Sequence, residues 1–124
     1  MDASPWQVLV VEDEYDSVQM ISKILEFSGA KVIVANNGVQ CLEMLEGFEP
    51  DIVIMDLAMP EMDGWQTLVE IRSNMNTAHI PVVAVTAYYS DDVEEEAYAA
   101  GFDAYFPKPL DPKSFVEEIS GLVK

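Results

Sequence analysis

Polar side chains follow four apolar runs of the sequence, at the point where each run ends. If the runs are neighbouring parallel strands, their carboxyl ends share one edge of a sheet and these side chains meet there. A carboxylate at the end of a buried strand loses hydration, so it requires a proton, a metal ion or a charged partner. The side chains are Glu12 and Asp13 after residues 8–11, Asp56 after 51–55, Thr86 after 81–85 and Lys108 after 105–107.

The chemistry that these residue types favour is the acceptance of a phosphoryl group. The carboxylates of Glu12, Asp13 and Asp56 would repel one another in a small site, and a divalent cation would relieve that repulsion. Mg²⁺ commonly uses one or two carboxylates with waters and a phosphate oxygen, and a backbone carbonyl just after Asp56 could complete the set. Lys108 suits an anion that arrives with the metal, and the Thr86 hydroxyl can bond a phosphoryl oxygen. Asp56 would attack phosphorus and form an acyl phosphate.

Five alternating strand and helix patterns would position these side chains. Near-continuous apolar strands indicate a sheet covered on both faces, and right-handed crossovers then make it a doubly wound parallel sheet. Five strands fit the order 2-1-3-4-5, in which the first and third strands flank the ligand-binding switch point. This α/β fold has five helices; its strands are predicted at 6–11, 31–35, 51–55, 81–85 and 104–106 and its helices at 15–27, 39–45, 65–75, 91–100 and 114–123.

The composition is that of one strongly acidic domain. The 124 residues include 6 Lys and Arg against 23 Asp and Glu, and the formal net charge of −17 disfavours nucleic acid and anionic membranes as partners. Cys41 is the single cysteine, so an intrachain disulfide is excluded. The first residues carry no signal-peptide pattern, and no run approaches a membrane span of about 20 apolar residues. These features predict a cytoplasmic protein.

Four motifs in order, each at a predicted strand end, give the chain a family resemblance. From Val8 to Val123 it resembles the response-regulator receiver domains of two-component signalling, the CheY-like group. Because that group exemplifies the 2-1-3-4-5 strand order, the order and the resemblance are not independent predictions. The motifs are Val10-Val11-Glu12-Asp13-Glu14, Asp56-Leu57-Ala58-Met59-Pro60-Glu61-Met62-Asp63-Gly64, Val85-Thr86-Ala87 and Lys108-Pro109.

The resemblance implies roles for the residues at the strand ends. Asp56 would be phosphorylated by a histidine kinase or a histidine phosphotransfer protein. Asp13, Asp56 and the backbone carbonyl of Ala58 would bind Mg²⁺, for which Mn²⁺ could substitute, and Glu12 would act through water. Lys108 would contact the phosphoryl group and the Asp56 side chain, and the Lys108-Pro109 bond would be cis.

The resemblance also implies a switch. Thr86 would move to the phosphoryl group while Tyr105 turns inward, and the surface of the fourth helix, fifth strand and fifth helix would change for a protein partner. Tyr88, Tyr98 and Tyr105 are the candidate surface residues.

Residues 1–124 would form a single receiver domain with no output domain, so the output would be a downstream protein or onward phosphate transfer. The chain would not be an enzyme beyond accepting and losing its own phosphoryl group.

Two positions depart from the common pattern of the family. Glu12 stands where many relatives have Asp, so the acid is kept but its reach changes. Ala58 and Tyr88 lie two residues beyond Asp56 and Thr86, at positions that influence phosphoryl lifetime in the family. Because Ala58 has no polar group to orient an attacking water, slow self-dephosphorylation is predicted.

Other interpretations of the same residues are open. A Mg²⁺-dependent hydrolase with an aspartyl nucleophile would need a second general acid near Ala58 and a lid insertion. A flavodoxin-like electron carrier is disfavoured because the sequence has no glycine-rich phosphate loop, and a receiver that works without phosphorylation is disfavoured by the intact acidic site. Individually, Thr86 could cap the following helix, Tyr105 could be a half-exposed aromatic at a sheet edge, and His79 could be an ordinary loop histidine.

Overall fold

Strands and helices alternate five times along the chain. The computed structural model describes residues 6–88 and 90–123, and the longest helix in these ranges has 13 residues. No helix in the described part of the chain is long and apolar enough to cross a bilayer. The elements are β1 (Gln7–Val11), α1 (Tyr15–Phe27), β2 (Lys31–Ala35), α2 (Gly38–Leu45), β3 (Ile52–Asp56), α3 (Gly64–Ser73), β4 (Val82–Thr86), α4 (Asp91–Ala100), β5 (Ala104–Pro107) and α5 (Pro112–Ser120).

The predicted order and type of every element are confirmed, and the boundaries move by at most a few residues. The bounds of α1, β2 and α4 are those predicted. The last helix begins two residues before the predicted start, because Asp111 caps it and Pro112 occupies its first turn. Its periodic apolar residues begin only at Phe115, so the apolar pattern alone missed that turn.

The sheet has the predicted parallel order, β2-β1-β3-β4-β5. Val11 pairs with Met55 at the end of β1 and β3, and Asp56 pairs with Val85 between β3 and β4. Thr86 pairs with Pro107 at the next step across the sheet. The carboxyl ends of four strands are therefore level with one another, which is what brings their terminal side chains together.

Two apolar clusters cover the faces of the sheet. Alternate residues of each strand point to opposite faces, as the pleat requires; Val8 and Val10 face one cluster while Leu9 and Val11 face the other. The first cluster includes Ile21 and Leu25 of α1 and Phe115 and Ile119 of α5, and the second includes Cys41, Leu68, Ile71 and Ala97 of α2, α3 and α4. Both faces are buried, which explains the nearly continuous apolar strands.

Cys41 is a core residue of the second cluster. It is fully buried. Burial raises the pKa of its thiol to about 12. The neutral thiol therefore serves as a small apolar side chain.

Four helices begin with a side-chain cap. Asn37, Asp63, Ser90 and Asp111 each accept a hydrogen bond from a backbone N–H in the first turn of the helix that follows. Such caps satisfy donors that would otherwise lack partners at a helix start. Since α3, α4 and α5 each follow a strand end, these caps also fix where the loops around the site finish.

Gly64 allows the start of α3 to touch the backbone of the strand end. Its N–H donates to the Leu57 carbonyl at 3.1 Å. A Cβ at position 64 would lie 2.5 Å from the Asp56 carbonyl oxygen and 2.9 Å from the Leu57 Cα. Both neighbours are backbone atoms and cannot swing away, so the site loop has this course only with glycine there.

We expect Gly64→Ala to destabilise the fold by about 1–3 kcal/mol, because the added methyl group overpacks against backbone. Urea denaturation followed by circular dichroism measures the change. Gly47→Ala is the matched control, since no described atom lies within 4 Å of a Cβ there. Equal stabilities for the two variants would contradict the close approach.

Candidate functional site

Three carboxylates converge at the ends of β1 and β3. Glu12 is fully buried, Asp56 is 6% exposed and Asp13 is exposed to solvent. One oxygen from each of the three lies within 4.8 Å of the others. The Glu12 N–H donates to the Ala35 carbonyl at 3.0 Å, so the sheet ladder itself holds this residue in place. The predicted acidic cluster is therefore present as a physical site.

Lys108 reaches this cluster from the end of β5, where it forms the expected ion pair with Asp56 and also a hydrogen bond with Glu12 that was not expected. Its Nζ donates to Glu12 Oε1 at 2.7 Å and lies 3.7 Å from Asp56 Oδ2, beyond hydrogen-bond distance. Its backbone N–H donates to the Thr86 carbonyl at 2.8 Å, which ties the ends of β4 and β5 together. The ammonium bonds Glu12 because a fully buried carboxylate most needs a counter-charge. The predicted cis Lys108-Pro109 bond is confirmed.

Ser17 is a member of the site that the sequence interpretation missed. Its Oγ accepts from Lys108 Nζ at 3.0 Å and donates to Glu14 Oε1 at 2.8 Å. The Glu14 N–H in turn donates to Glu12 Oε2 at 3.2 Å. Because α1 starts at the carboxyl edge of the sheet, a polar residue one turn after Asp13 could have been considered for the site.

The environment of Asp56 disfavours its ionised form. Burial raises the pKa of Asp56 to about 7, and the neighbouring Glu12 carboxylate adds to the rise. Lys108 and the Ala58 N–H, which donates to Asp56 Oδ1 at 3.3 Å, oppose it only in part. Near neutral pH, the carboxyl group is therefore divided between its protonated and ionised forms.

The donor set of this cluster fits a hard divalent cation. Carboxylate oxygens are the ligands that Mg²⁺ prefers, and the exposed Asp13 leaves the cluster open to solvent. Among the described residues, Lys108 is the one cationic side chain that the structure pairs with Glu12 or Asp56. The cluster thus keeps an excess of negative charge, which adds to the effect of burial in raising the pKa of Asp56. Ala58 adjoins the cluster, and its carbonyl as a ligand stays a prediction.

Thr86 lies at the strand end but bonds within its own loop. It is 1% exposed, and its Oγ1 accepts from the Tyr88 N–H at 3.0 Å. The alternative that Thr86 caps the next helix is wrong, because Ser90 caps α4. The hydroxyl therefore closes a turn over residues 86–88 at the end of β4.

Tyr105 is buried, so its prediction as a surface residue is wrong, and so is the half-exposed alternative. It is 6% exposed and belongs to the second apolar cluster, against which Val93 of α4 packs. Although β5 is an edge strand, α4 covers the face to which residue 105 points. Burial raises the pKa of the Tyr105 hydroxyl. Tyr88 and Tyr98 are exposed, at 73% and 49%.

His79 lies outside the acidic site. Its Nε2 is 3.0 Å from Glu49 Oε2, and both side chains are exposed. Within residues 6–88 and 90–123, Glu12, Asp13 and Asp56 are the one group of acidic, His or Cys side chains close enough to hold a metal ion. The arrangement agrees with an ordinary surface histidine.

Comparisons with known proteins agree with this fold. The family model described as Response regulator receiver domain matches residues 8–120. The chain is 32% identical over 115 residues to the polar-differentiation response regulator DivK of Brucella anthropi, which covers 93% of this chain and 94% of that relative.

Two solved structures have the same fold as this chain. The receiver domain of the sensor histidine kinase PA1611 from Pseudomonas aeruginosa PAO1, solved with a magnesium ion coordinated in its active site cleft, is 26% identical with a TM-score of 0.87. That match covers 94% of this chain and 96% of the other. The chemotaxis protein CheY4 of Vibrio cholerae is 25% identical with a TM-score of 0.87, covering 95% of this chain and 98% of the other.

The raised pKa of Asp56 predicts a pH-dependent stability for the metal-free protein. The folded protein holds this proton more tightly than the unfolded chain does, so the proton stabilises the fold. This contribution to the free energy of unfolding is fully present below the ordinary Asp pKa of 3.8 and is lost as pH rises through about 7. Asp56→Asn removes the ionisation, so we expect the variant to be more stable than the parent at pH 8 by about 2–4 kcal/mol.

Denaturation in a chelating buffer between pH 4 and 8 measures this difference, which should vanish toward the acidic end. Glu43→Gln, on the exposed part of α2, makes the same change in charge without burial and serves as the control. A difference that does not vary with pH would contradict an ionisation penalty at Asp56.

Proposed function

The chain belongs to the response regulator receiver domain family of two-component signalling, and from this premise we infer that Asp56 is its phosphoacceptor. The donor is the phosphohistidine of a histidine kinase or of a histidine phosphotransfer protein. The observation that carries the proposal is the buried Asp56 carboxyl group, which shares its oxygen cluster with Glu12 and Asp13 and has the Lys108 ammonium 3.7 Å away. Each of these groups suits one part of phosphoryl transfer.

In the proposed reaction an oxygen of Asp56 attacks phosphorus, the bond from phosphorus to the histidine nitrogen breaks, and an acyl phosphate forms on Asp56. Asp13, Asp56 and the Ala58 carbonyl would hold Mg²⁺, with Glu12 acting through water, and the bound ion would supply positive charge for the carboxylate and the phosphoryl oxygens. Lys108, at the end of β5, supplies a second positive charge. The Thr86 hydroxyl, which accepts from the Tyr88 N–H, has its own proton to donate to a phosphoryl oxygen and moves toward it. Mn²⁺ can substitute for Mg²⁺ because it accepts the same oxygen ligands.

The proposed output is a change in the surface of α4, β5 and α5. Thr86 closes the loop that leads into α4, and Tyr105 packs beneath that helix near Val93. A groove of about 740 Å³ beside the site is lined by Thr86 and Ala58 and also by Val93. Movement of Thr86 toward a phosphoryl group would therefore shift the packing under α4, and the phosphorylated site would favour one of two arrangements.

The proposed partners are proteins in the cytoplasm. A net charge of −17 opposes binding to nucleic acid or to anionic membranes. The signal therefore goes to a downstream protein, or the phosphoryl group passes on to another histidine. The chain turns over no separate substrate, so it is not an enzyme beyond the acceptance and loss of its own phosphoryl group.

Incubation with acetyl phosphate and Mg²⁺ should add one phosphoryl group to the protein, measured as intact mass. Asp56→Asn should abolish the adduct because the attacking oxygen is gone, and a chelator should abolish it in the parent. Asp92→Asn, on the exposed start of α4, is the matched control and should keep it. Steady release of phosphate at enzyme-like rates would favour the hydrolase instead. No adduct with acetyl phosphate, a beryllofluoride mimic or a kinase would refute the proposal.

Ala58 should give the acyl phosphate a long lifetime. Its side chain is a methyl group at an exposed position of the site, so it cannot orient a water for attack on phosphorus. We expect Ala58→Asn to shorten the half-life of the acyl phosphate by roughly three- to tenfold. This change is smaller than the rate increase that full general-base catalysis supplies. Loss of the phosphoryl adduct after removal of donor measures this, with Ala78→Asn, exposed in the loop after α3, as control. An unchanged half-life would remove this explanation.

A further inference from the structure

The Lys108 ammonium is held by two side chains from the first β–α connection. Glu12 Oε1 lies 2.7 Å from Nζ and Ser17 Oγ lies 3.0 Å from it. Ser17 is 6% exposed, and the Lys108 side chain is 13% exposed. These contacts join residues that are more than 90 positions apart in the chain, so they are tertiary contacts of the site.

The direction of each bond around Ser17 follows from the chemistry of the groups. An ammonium only donates, whereas a serine hydroxyl has one proton to give and lone pairs to receive. Ser17 must therefore accept from Lys108, and its single proton goes to Glu14 Oε1 at 2.8 Å. The Glu14 carboxylate thereby fixes the hydroxyl in the orientation that presents a lone pair to Lys108.

The local structure of α1 agrees with this use of the two side chains. Glu14 is the N-cap residue, yet its side chain makes no cap hydrogen bond among the described residues and accepts from Ser17 instead. Another serine on the same helix behaves differently: the buried Ser22 hydroxyl has no hydrogen-bond partner within the described part of the chain. The bonds of Ser17 are thus specific to its position beside Lys108.

We propose that Ser17 is a positioning residue for phosphoryl acceptance, acting by holding the Lys108 ammonium beside Asp56. A lysine side chain has a flexible four-carbon stem, so one bond to Glu12 leaves the nitrogen free to pivot. The second bond, to Ser17, fixes the nitrogen and leaves one of its three donors for the Asp56 side, 3.7 Å away. This role rests on the proposed reaction at Asp56.

Kinetics with acetyl phosphate and Mg²⁺ on the full chain test the role. In Ser17→Ala we expect the maximal rate of Asp56 phosphorylation to fall by about tenfold, the lower end of the range for losing a hydrogen bond to a charged group. The acetyl phosphate concentration for half-maximal rate should stay nearly constant, because the charge of Lys108 is still present. Ser17→Thr keeps the hydroxyl and should restore most of the rate. Ser22→Ala, the matched control on the same helix, should react like the parent.

A spectroscopic measurement on the unphosphorylated protein tests the geometry separately. Hydrogen bonds slow the exchange of ammonium protons with water, so the ¹⁵N-detected Lys108 signal should exchange faster in Ser17→Ala and be unchanged in Ser22→Ala. If alanine destabilises the fold, Ser17→Cys, which is similar in size but a weaker hydrogen-bonding group, gives the same comparison.

The outcomes separate the two proposals. Equal maximal rates for the parent and Ser17→Ala would overturn the role of Ser17 while leaving Asp56 as the acceptor. A reduced rate in which Ser17→Thr is as slow as Ser17→Ala, with unchanged Lys108 exchange, would also overturn it. Failure of the parent to accept phosphate from any donor would refute the proposed function itself.

Discussion

The site depends on an imbalance of charge in a place that water reaches poorly. Glu12 and Asp56 are both buried, Asp13 stands at the opening, and one ammonium lies among them. Burial, together with the neighbouring Glu12 carboxylate, raises the pKa of Asp56 to about 7. Because one ammonium cannot satisfy three carboxylates, the cluster favours a cation or a proton. A fold selected for stability alone would replace such a cluster with apolar side chains of similar volume. Its presence therefore indicates that the excess charge has a use.

The parallel sheet is what makes this imbalance possible. The interior residues of the strands pack into the two apolar clusters, so polar side chains occur where the strands end. The register makes these ends level, and the Lys108 N–H bond to the Thr86 carbonyl extends the alignment to the fifth strand. Gly64 then lets α3 close against the backbone of Asp56. The site therefore lies between the end of the sheet and the loops that lead into the capped helices.

The sequence predicts most of the fold because each strand is one apolar run bounded by turn residues. It also predicts the meeting of Glu12, Asp13, Asp56 and Lys108, since parallel strands leave their ends at one edge. It could not predict that Lys108 would bond Glu12 in preference to Asp56, because that choice depends on which carboxylate is more deeply buried. The burial of Tyr105 could not be predicted for a similar reason. The packing of α4 over β5 is a tertiary contact that leaves no local pattern in the sequence.

The hydrogen bonds seen at Thr86 and Lys108 explain how one anion could change a surface. The Thr86 hydroxyl is engaged by the Tyr88 N–H, and the Lys108 ammonium by Glu12 and Ser17. In the proposed reaction a phosphoryl group offers the Thr86 hydroxyl a charged acceptor, and bonds to charged acceptors are roughly twice as strong as neutral ones. Lys108, which already bonds the Glu12 carboxylate, gains a further charged acceptor. The charge of the phosphoryl group drives the changes in hydrogen bonding at both Thr86 and Lys108. Only the change at Thr86 alters the loop that leads into α4. An exchange of a few hydrogen bonds is worth a few kcal/mol, which is enough to reverse the populations of two closely balanced arrangements.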